Sequence, residues 1–335
     1  MCDLISKLDY DCFIVIKTLQ AGGQTKDITV NKYICSDKEN NRLYVVKQLR
    51  YNDRILKSLE YHKRVMGHPN ISKLCGYKVD DDKKYITTIT EYYKDFQDLA
   101  WHGKLDISDN IIILKTLLSV CKYIHSLRIS HNDIKPENIL FNTRIRKAIL
   151  IDWDLCSEFS ETECAPSGTE GFLPHCYTTV KSGYRDLWSV GITIMKLLDR
   201  KLLQSVNIID FKRPTDCKTQ LGLIQIIQER TNKVIKESNI SNDVKNILYD
   251  ILKVQECDSY DIDAMLKRVI AYEQTIDLYE NVPYEKMIQY TCSHPEIFYD
   301  IANDTIKRIF REYSTRIVSG ELTGNKQVAT RILNH

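Results

Sequence analysis

Residues 123–142 read YIHSLRISHNDIKPENILFN and place three polar side chains, Asp133, Lys135 and Asn138, in one short segment. Apolar residues precede and follow this segment, which predicts a loop between a helix and a short strand. A second segment, LIDWDLC at 150–156, adds a carboxylate pair inside an apolar run. Carboxylate and amide oxygens are ligands that Mg²⁺ prefers, and a lysine can neutralise phosphate charge. Two interpretations compete: a solvated polar turn, or a site that holds a metal ion and a phosphate.

The overall composition is that of a globular protein with a mixed charged surface. The 335 residues include 47 basic and 45 acidic side chains, so the formal net charge is +2. Because nucleic-acid binders usually carry a clear basic excess, this balance argues against a nucleic-acid partner. Eleven cysteines lie without CxxC spacing and the N-terminus lacks a secretory signal pattern, which favours an intracellular location, cytoplasm or nucleus. No apolar run reaches the roughly 18 residues of a membrane span, so we expect none.

The first hundred residues have the pattern of a β-sheet with one helix. β-Branched and aromatic residues predict strands at 12–19, 27–35, 42–49 and 85–93, and turn residues separate the first three. Residues 52–66 predict a helix, because apolar side chains recur there among charged ones. The chain therefore begins with a mostly β region.

From about residue 106 onward the spacing of apolar residues becomes that of helices. Ser108 is the predicted N-cap of a long helix. Near the C-terminus, Ser293 and Glu296 form a capping-box pair ahead of an apolar stripe that ends at Gly320. Charges of both signs flank this stripe, so we expect the C-terminal helix to dock on the body of the protein or on a partner.

Four segments, in order along the chain, resemble eukaryotic-type protein kinases. YIHSLRISHNDIKPENILFN resembles the catalytic-loop pattern YLHSLGIxHRDIKPENIL, and LIDWDLC is similar to LIDFGLA. SGTEGFLP at 167–174 resembles GTPGYxAPE, and YRDLWSVGITIMKLL at 184–198 resembles the buried helix DxWSxGxxxxEL. Because the segments keep the order and spacing of the family across residues 12–272, the joint match is far more specific than any one motif.

The resemblance implies an α+β, bilobal protein-kinase-like fold. It places a β-rich N-lobe at 1–93 and a helical C-lobe at 94–272, and the helical pattern beyond predicts a C-terminal helical extension at 273–335. It also implies ATP and Mg²⁺ as cofactors and proteins as substrates. The triplet His131-Asn132-Asp133, together with the segment LIDWDLC, is similar to divergent kinases of large DNA viruses.

By the resemblance, the loop residues would carry phosphoryl transfer. Asp133 would orient the substrate hydroxyl and accept its proton, and Lys135 would neutralise charge on the transferring phosphate. Asn138 and Asp152 would hold Mg²⁺. Lys47, in YVVKQL, is similar to the family lysine that pairs the α- and β-phosphates.

The helical carboxylate that partners this lysine in the family is harder to place. Glu60 is the predicted partner of Lys47, although Leu59 stands at the usual distance from His68. An outward-facing lysine on a strand is the alternative interpretation of Lys47. This pairing therefore depends on which residue of the helix faces the sheet.

The glycine-rich loop and the hinge of the family resemble segments of this chain less closely. Gly22 and Gly23 would cover the phosphates, but the G-x-G-x-x-G spacing is missing, and a simple hairpin turn is equally compatible with them. The segment TITEYY resembles the hinge between lobes. There Thr90 would be the gatekeeper, the Glu91 carbonyl would accept from adenine and the Tyr93 backbone N–H would donate to it.

Three positions depart from the family pattern. Asn132 replaces an arginine that receives an activation-segment phosphate, so we hypothesise activity that does not need this phosphate. Asp154 replaces a glycine; we expect it to hold its loop in one left-handed state, and the alternative is an added carboxylate near the metal. His175 replaces a glutamate that forms a buried ion pair in the family with an arginine further along the chain. That arginine is also missing, so neither charge is left buried without its partner.

We interpret the chain as a protein serine/threonine kinase, because Lys135 with Thr169 matches the Ser/Thr form of the family. Two alternatives stay open. A pseudokinase scaffold would explain the degenerate glycine loop. A small-molecule phosphotransferase of the aminoglycoside or choline kinase type would explain an IDW-like metal segment, although SGTEGFLP and the helix around Trp188 argue against it.

Overall fold

The computed structural model describes most of the chain between Phe13 and Asn281 and a few residues near the C-terminus. The described residues are 13–19, 29–38, 41–103, 105–159, 168–169, 171–173, 182–198, 228–229, 231–238, 242–253, 260–281, 314–321, 326–327 and 330. Within these ranges, no helix combines the length and the apolar character needed to cross a bilayer.

The N-terminal part is an antiparallel sheet of five strands in the order β1-β2-β3-β5-β4. The strands are β1 (Phe13–Thr18), β2 (Thr29–Asp37), β3 (Leu43–Arg50), β4 (Leu74–Val79) and β5 (Tyr85–Glu91). Their alternation of apolar and polar residues turns one face toward a helix and the other toward solvent or the cleft below. The predicted strands and the sheet-first organisation are confirmed.

One helix, α1 (Asp53–Val65), packs on this sheet. Asn52 caps it, because its side chain accepts the Arg54 N–H at 2.8 Å. The inner face of α1 buries Ile55 and Leu59 against Leu49 and neighbouring strand residues. This packing fixes which side chains of α1 reach the cleft.

The C-terminal part is largely helical. Its helices are α2 (Ile107–Ser126), α3 (Ser182–Leu198), α4 (Asn242–Ile251) and α5 (Ile262–Asn281), with further helical residues at 231–237 and 314–319. α2 packs against both α3 and α5, and its side chains form the centre of the larger core. The predicted N-cap Ser108 is wrong: Asp106 caps α2 by accepting the Asp109 N–H at 2.6 Å, and Ser108 lies in the first turn.

Short strands before and after α2 carry the loops of the site. They are β6 (Gln97–Asp98), β7 (Ile129–Ser130), β8 (Ile139–Asn142), β9 (Lys147–Leu150) and β10 (Ser157–Glu158), and a 3₁₀ turn covers Pro136–Asn138. β8 and β9 form a hairpin that β6 extends, and β7 pairs with β10. These pairings bring the ends of the catalytic loop and of LIDWDLC side by side.

The predicted boundary between residues 272 and 273 falls inside α5, which continues to Asn281. Ser293 and Glu296 lie outside the described residues. In the described part of the C-terminal segment, the helical residues 314–319 end at Gly320, which has a φ of +87°. Ser314 and Ile317 are each only 1% exposed.

Candidate active site

A cavity of about 230 Å³ lies between the sheet and the helical region. Val45 and Lys47 of β3 line its upper side, and Asp152 and Asp154 line its inner end. The chain after β5, through Tyr93, lines the outer end. The fold therefore gathers into one cleft residues that are separated by more than a hundred positions in sequence.

The catalytic loop is held by a compact set of buried polar contacts. The Lys135 ammonium group donates to Asp133 Oδ2 at 2.7 Å and to the Thr169 hydroxyl at 2.6 Å. Thr169 donates in turn to Asp133 Oδ1 at 2.6 Å. Asp133 and Lys135 are each 6% exposed. The carboxylate is thus fixed on both oxygens, with a cation directly beside it.

A buried carboxylate of α3 anchors this loop from behind. Asp186, which is fully buried, accepts the backbone N–H groups of His131 and Asn132 at 2.9 and 2.8 Å. His125 of α2 contacts the same carboxylate at 3.0 Å through Nε2. Burial by itself would raise the pKa of Asp186, but the hydrogen bond with His125, the charges of His125 and His131 and the Asn132 N–H together outweigh it and lower the pKa. Asp186 therefore keeps the charge that orients the loop.

Asn138 directly precedes β8 and Asp152 closely follows β9, at the open end of the β8–β9 hairpin. Ile139 pairs with Leu150 in this hairpin, and the Ile151 N–H donates to the Asn138 carbonyl at 2.9 Å. The Asn138 amide donates to the Asp133 carbonyl and to Asp133 Oδ2, both at 2.8 Å. These bonds use the NH₂ group of Asn138, so its Oδ1 atom is the one that can coordinate a cation. Two side-chain oxygen donors beside a buried lysine fit Mg²⁺ with its nucleotide phosphates.

The ammonium group of Lys47 is enclosed by the two carboxylates of the segment Asp152-Trp153-Asp154. It lies 3.2 Å from Asp152 Oδ1 and also donates to Asp154 Oδ2. Burial alone would lower the pKa of Lys47, but both carboxylates act against it and the pKa is raised. Lys47 is therefore an inward-facing cation of the cleft, and the outward-facing alternative is wrong.

The two aspartates respond differently to their surroundings. For Asp152, burial raises the pKa, but the charges of Lys47 and Lys32 outweigh it and the pKa lies below its ordinary value. For Asp154, burial and the neighbouring Asp152 charge outweigh Lys47, so the pKa is raised. Asp152 therefore keeps its charge to lower pH than Asp154 does, which suits a metal ligand.

The prediction that Glu60 pairs with Lys47 is wrong. Glu60 lies on the exposed side of α1, where it accepts from the Tyr77 hydroxyl and from Lys63 at 3.2 Å. Leu59, which is 3% exposed, occupies the inner side and lines the cavity. One residue along a helix turns the side chain by about 100°, which is enough to move it from the sheet to solvent.

The outer end of the cavity contains the predicted hinge. The backbone N–H of Glu91 donates to the Lys73 carbonyl at 3.0 Å, and the Tyr93 hydroxyl accepts the Lys73 N–H at 3.2 Å. Thr90, Glu91 and Tyr93 all line the cavity. Gly22 and Gly23 lie outside the described residues.

The segment Asp152-Trp153-Asp154 differs from the expectation. The residue with a left-handed backbone is Asp152, whose φ is +63°, and Asp154 is not among the residues with positive φ. Trp153 is 3% exposed and stacks on His62 with ring centroids 5.4 Å apart. The expectation of a left-handed Asp154 is therefore wrong, and the alternative of an added carboxylate in the site fits the contacts.

Asn132 has a structural role in the position where the family has arginine. Its amide donates to the Leu155 carbonyl and to the Ser157 hydroxyl, both at 2.9 Å. The residue is 2% exposed and has a φ of +67°. Asn132 thus ties the catalytic loop directly to the chain leading into β10.

Several residues of the cavity were missed from the sequence, and Lys32 and His62 are two of them. Lys32 of β2 lies opposite Lys47 of β3 in the strand register and lines the same cavity. His62 of α1 lines it as well and bonds the Ser72 carbonyl at 2.7 Å. Strand register could have indicated Lys32, because opposite residues on paired strands face the same side.

The fold and the site are those of a nucleotide-dependent phosphotransferase. A family model described as the protein kinase domain matches residues 23–303, well over half of the chain. The chain therefore belongs to the protein kinase family.

Curated relatives are serine/threonine protein kinases at distant identity. The chain is 30% identical over 216 residues to the serine/threonine-protein kinase PknA of Nostoc sp., covering 58% of this chain and 38% of that protein. It is 30% identical over 146 residues to a probable casein kinase II subunit alpha homolog of Encephalitozoon cuniculi, covering 41% of this chain and 45% of the homolog. The chain thus spans less than half the length of these relatives.

A solved structure, that of the Cydia pomonella granulovirus kinase PK-1, has the same fold. The two superimpose with a TM-score of 0.58 at 18% sequence identity. The match covers 77% of this chain and 94% of the viral kinase. At this identity the likeness concerns the fold alone.

Proposed function

We propose that this chain transfers the γ-phosphate of ATP to serine or threonine hydroxyl groups of protein substrates. The observation that carries the proposal is the fixed geometry of Asp133, whose two oxygens are bound by Lys135 and Thr169. Phosphoryl transfer depends mainly on positioning and on neutralising charge, and a buried carboxylate beside a buried ammonium group supplies both.

Each residue of the cleft then has a defined task. Asp133 orients the substrate hydroxyl and accepts its proton, while the adjacent Lys135 compensates charge on the phosphate. Asn138 and Asp152 hold Mg²⁺, and Lys47 binds the nucleotide phosphates from the sheet side. When bound, Mg-ATP supplies the transferable phosphoryl group and a further positive charge on its oxygens.

Selection of Ser or Thr over Tyr is supported by the contact between Lys135 and Thr169. The two side chains, joined by a hydrogen bond of 2.6 Å, fill the space next to Asp133 with a lysine and a small hydroxyl group. PknA of Nostoc sp., named above, is also described as a serine/threonine-protein kinase.

We further propose that activity does not require a phosphate on the activation segment. Asn132 cannot form a charge-assisted pair with phosphate, and its amide is already bonded to Leu155 and Ser157. These bonds connect the catalytic loop to the following segment without any added charge.

The test is transfer of radiolabelled γ-phosphate from Mg-ATP to generic acidic and basic protein substrates. Asp133→Asn is expected to lower the rate by about 10²- to 10⁴-fold, because it removes the proton acceptor while keeping the side-chain shape. Asp81→Asn, at an exposed turn between β4 and β5, is the matched control for loss of one carboxylate. Phosphoamino-acid analysis should place the label on serine and threonine.

Two results would contradict the proposal. Failure of the folded wild-type chain to bind Mg-ATP, with no label on any protein or on the chain itself, would indicate a pseudokinase scaffold. Label on an aminoglycoside or on choline, but on no protein, would assign the chain to the small-molecule phosphotransferases.

A further inference from the structure

Helix α1 offers no carboxylate to the cleft. Its buried side chains are Ile55, Ser58, Leu59, His62 and Val65. Its two acidic residues, Asp53 and Glu60, are exposed. Leu59 and His62 line the cavity instead. Among the described residues, the carboxylates that contact Lys47 both come from the segment Asp152-Trp153-Asp154.

The two carboxylates cannot serve the same purpose once a metal is present. Asp152 uses Oδ1 for Lys47 at 3.2 Å and is the proposed metal ligand. A divalent cation draws charge density from its ligand, so Asp152 holds Lys47 less firmly in the loaded state. Asp154, whose side chain is 10% exposed, also contacts Lys47 and is not one of the proposed metal ligands, so it would be free to keep that contact.

Packing around Trp153 holds Asp154 in place. The Trp153 ring stacks on His62 of α1 and meets His131 of the catalytic loop edge-on at 4.6 Å. A turn follows, in which the Cys156 N–H donates to the Trp153 carbonyl at 3.2 Å. The Cys156 thiol donates to the Ser58 carbonyl at 3.2 Å. The carboxylate of Asp154 is therefore carried by a segment that is fixed on both sides.

We propose that Asp154 is a positioning residue that fixes the Lys47 ammonium group for binding of nucleotide phosphate, in place of a carboxylate from α1. The inference rests on the proposed function, because Lys47 is taken to bind phosphate. If Asp154 has this role, the orientation of Lys47 depends on the segment after β9 and not on the rotation of α1.

The test compares wild type with Asp154→Asn and with the double variant Asp154→Asn/Leu59→Glu, which moves the carboxylate to the inner face of α1. Asp81→Asn is the matched control. The measurements are kcat, KM for Mg-ATP, the Mg²⁺ concentration for half-maximal rate, and the affinity for ADP in EDTA. Thermal unfolding of each variant establishes that it is folded.

Asp154→Asn is expected to lower kcat by about 10²-fold, because a cation displaced by about 1 Å no longer matches the phosphate. ADP affinity in EDTA should fall several-fold, and the half-maximal Mg²⁺ concentration should stay within about twofold. The double variant should recover at least about tenfold in kcat. If it does not fold, Asp154→Glu replaces it, and that variant should retain kcat within about tenfold of wild type.

The inference is overturned if folded Asp154→Asn keeps the kcat and the ADP affinity of wild type. A large shift in Mg²⁺ dependence without rescue by a second carboxylate would also overturn it, since Asp154 would then be a metal ligand. If wild type transfers no phosphate, the proposed function fails. The ADP affinities in EDTA still decide the role of Asp154 in that case.

Discussion

Two lysines face each other across the strands that cover the cleft. Lys32 and Lys47 are paired in the register of β2 and β3, and both line the cavity. Like charges directly opposite on paired strands destabilise a sheet, so the arrangement costs stability in the absence of a ligand. Lys47 is compensated by Asp152 and Asp154, and the Lys32 charge also acts on Asp152. A polyanion in the cavity would offset the remaining repulsion.

We expect Lys32→Met to raise KM for Mg-ATP by about fivefold while kcat changes less, because a binding charge is lost and the catalytic loop is untouched. The melting temperature should stay the same or rise, since the repulsion between the strands is removed. Steady-state kinetics and thermal unfolding check both effects, with exposed Lys78→Met on β4 as control. A fall in kcat at unchanged KM would contradict a binding role for Lys32.

At the scale of elements, the short pairing of β7 with β10 connects the catalytic loop to the activation segment. Ser157 pairs with Ser130, and Glu158 pairs with Ile129. Asn132 adds side-chain bonds to the same connection. Because these bonds are made by the neutral Asn132 amide and by backbone groups, no phosphate is needed to hold the two segments together.

We therefore expect phosphatase-treated protein to retain its activity within about twofold, and Asn132→Ala to lose about tenfold because two buried hydrogen bonds are removed. Mass spectrometry should first establish that residues 157–169 carry no phosphate. Rates with a protein substrate before and after treatment then decide the matter. Loss of most activity on dephosphorylation would show that Asn132 does not replace the charged pair of the family.

The predicted strands and helices agree with the structure in position but less well in their caps and in which face is buried. Four of the five strands of the sheet and α1 were predicted within a few residues, because alternation and helical spacing are local properties, whereas β4 was not predicted. The cap of α2 was misplaced by two residues, since Asp106 and Ser108 are both good caps and packing decides between them. Glu60 was misassigned for a related reason: the rotation of α1 about its axis is set by the sheet beneath it.

At the scale of the whole molecule, His62 connects the sheet side to the catalytic side. Its ring bonds the Ser72 carbonyl ahead of β4 and stacks on Trp153, the residue between the two site aspartates. Burial lowers the pKa of His62 to about 4, against an ordinary value of 6.5, and the Ser72 bond only partly opposes it. The folded protein therefore keeps this imidazole neutral in mildly acidic solution.

This pKa predicts a loss of stability in acid. Between pH 6.5 and about 4 the unfolded chain binds a proton at His62 that the folded protein does not bind, so the free energy of unfolding falls as pH falls. The full contribution is about 3 kcal/mol. His62→Gln should remove that part of the pH dependence, as measured by urea unfolding at pH 4.5, 5.5 and 7.

His102→Gln is the control for loss of one imidazole. His102 is half-buried and its ring nitrogen bonds the Phe141 carbonyl at 3.2 Å, away from the cleft. If His62→Gln and wild type show the same dependence of unfolding free energy on pH, His62 is not the group that titrates.

The sequence by itself determined the family, the order of sheet and helices, and the segment that carries Asp133, Lys135 and Asn138. These follow from short-range patterns, in which side-chain spacing and chain direction are set by neighbours along the chain. Only the tertiary structure decided which groups surround Lys47. Asp154 contacts it across more than a hundred residues, Lys32 faces it through strand register, and Glu60 points away. Such contacts depend on how α1 and the β8–β9 hairpin pack on the sheet, and packing is a property of the folded chain as a whole.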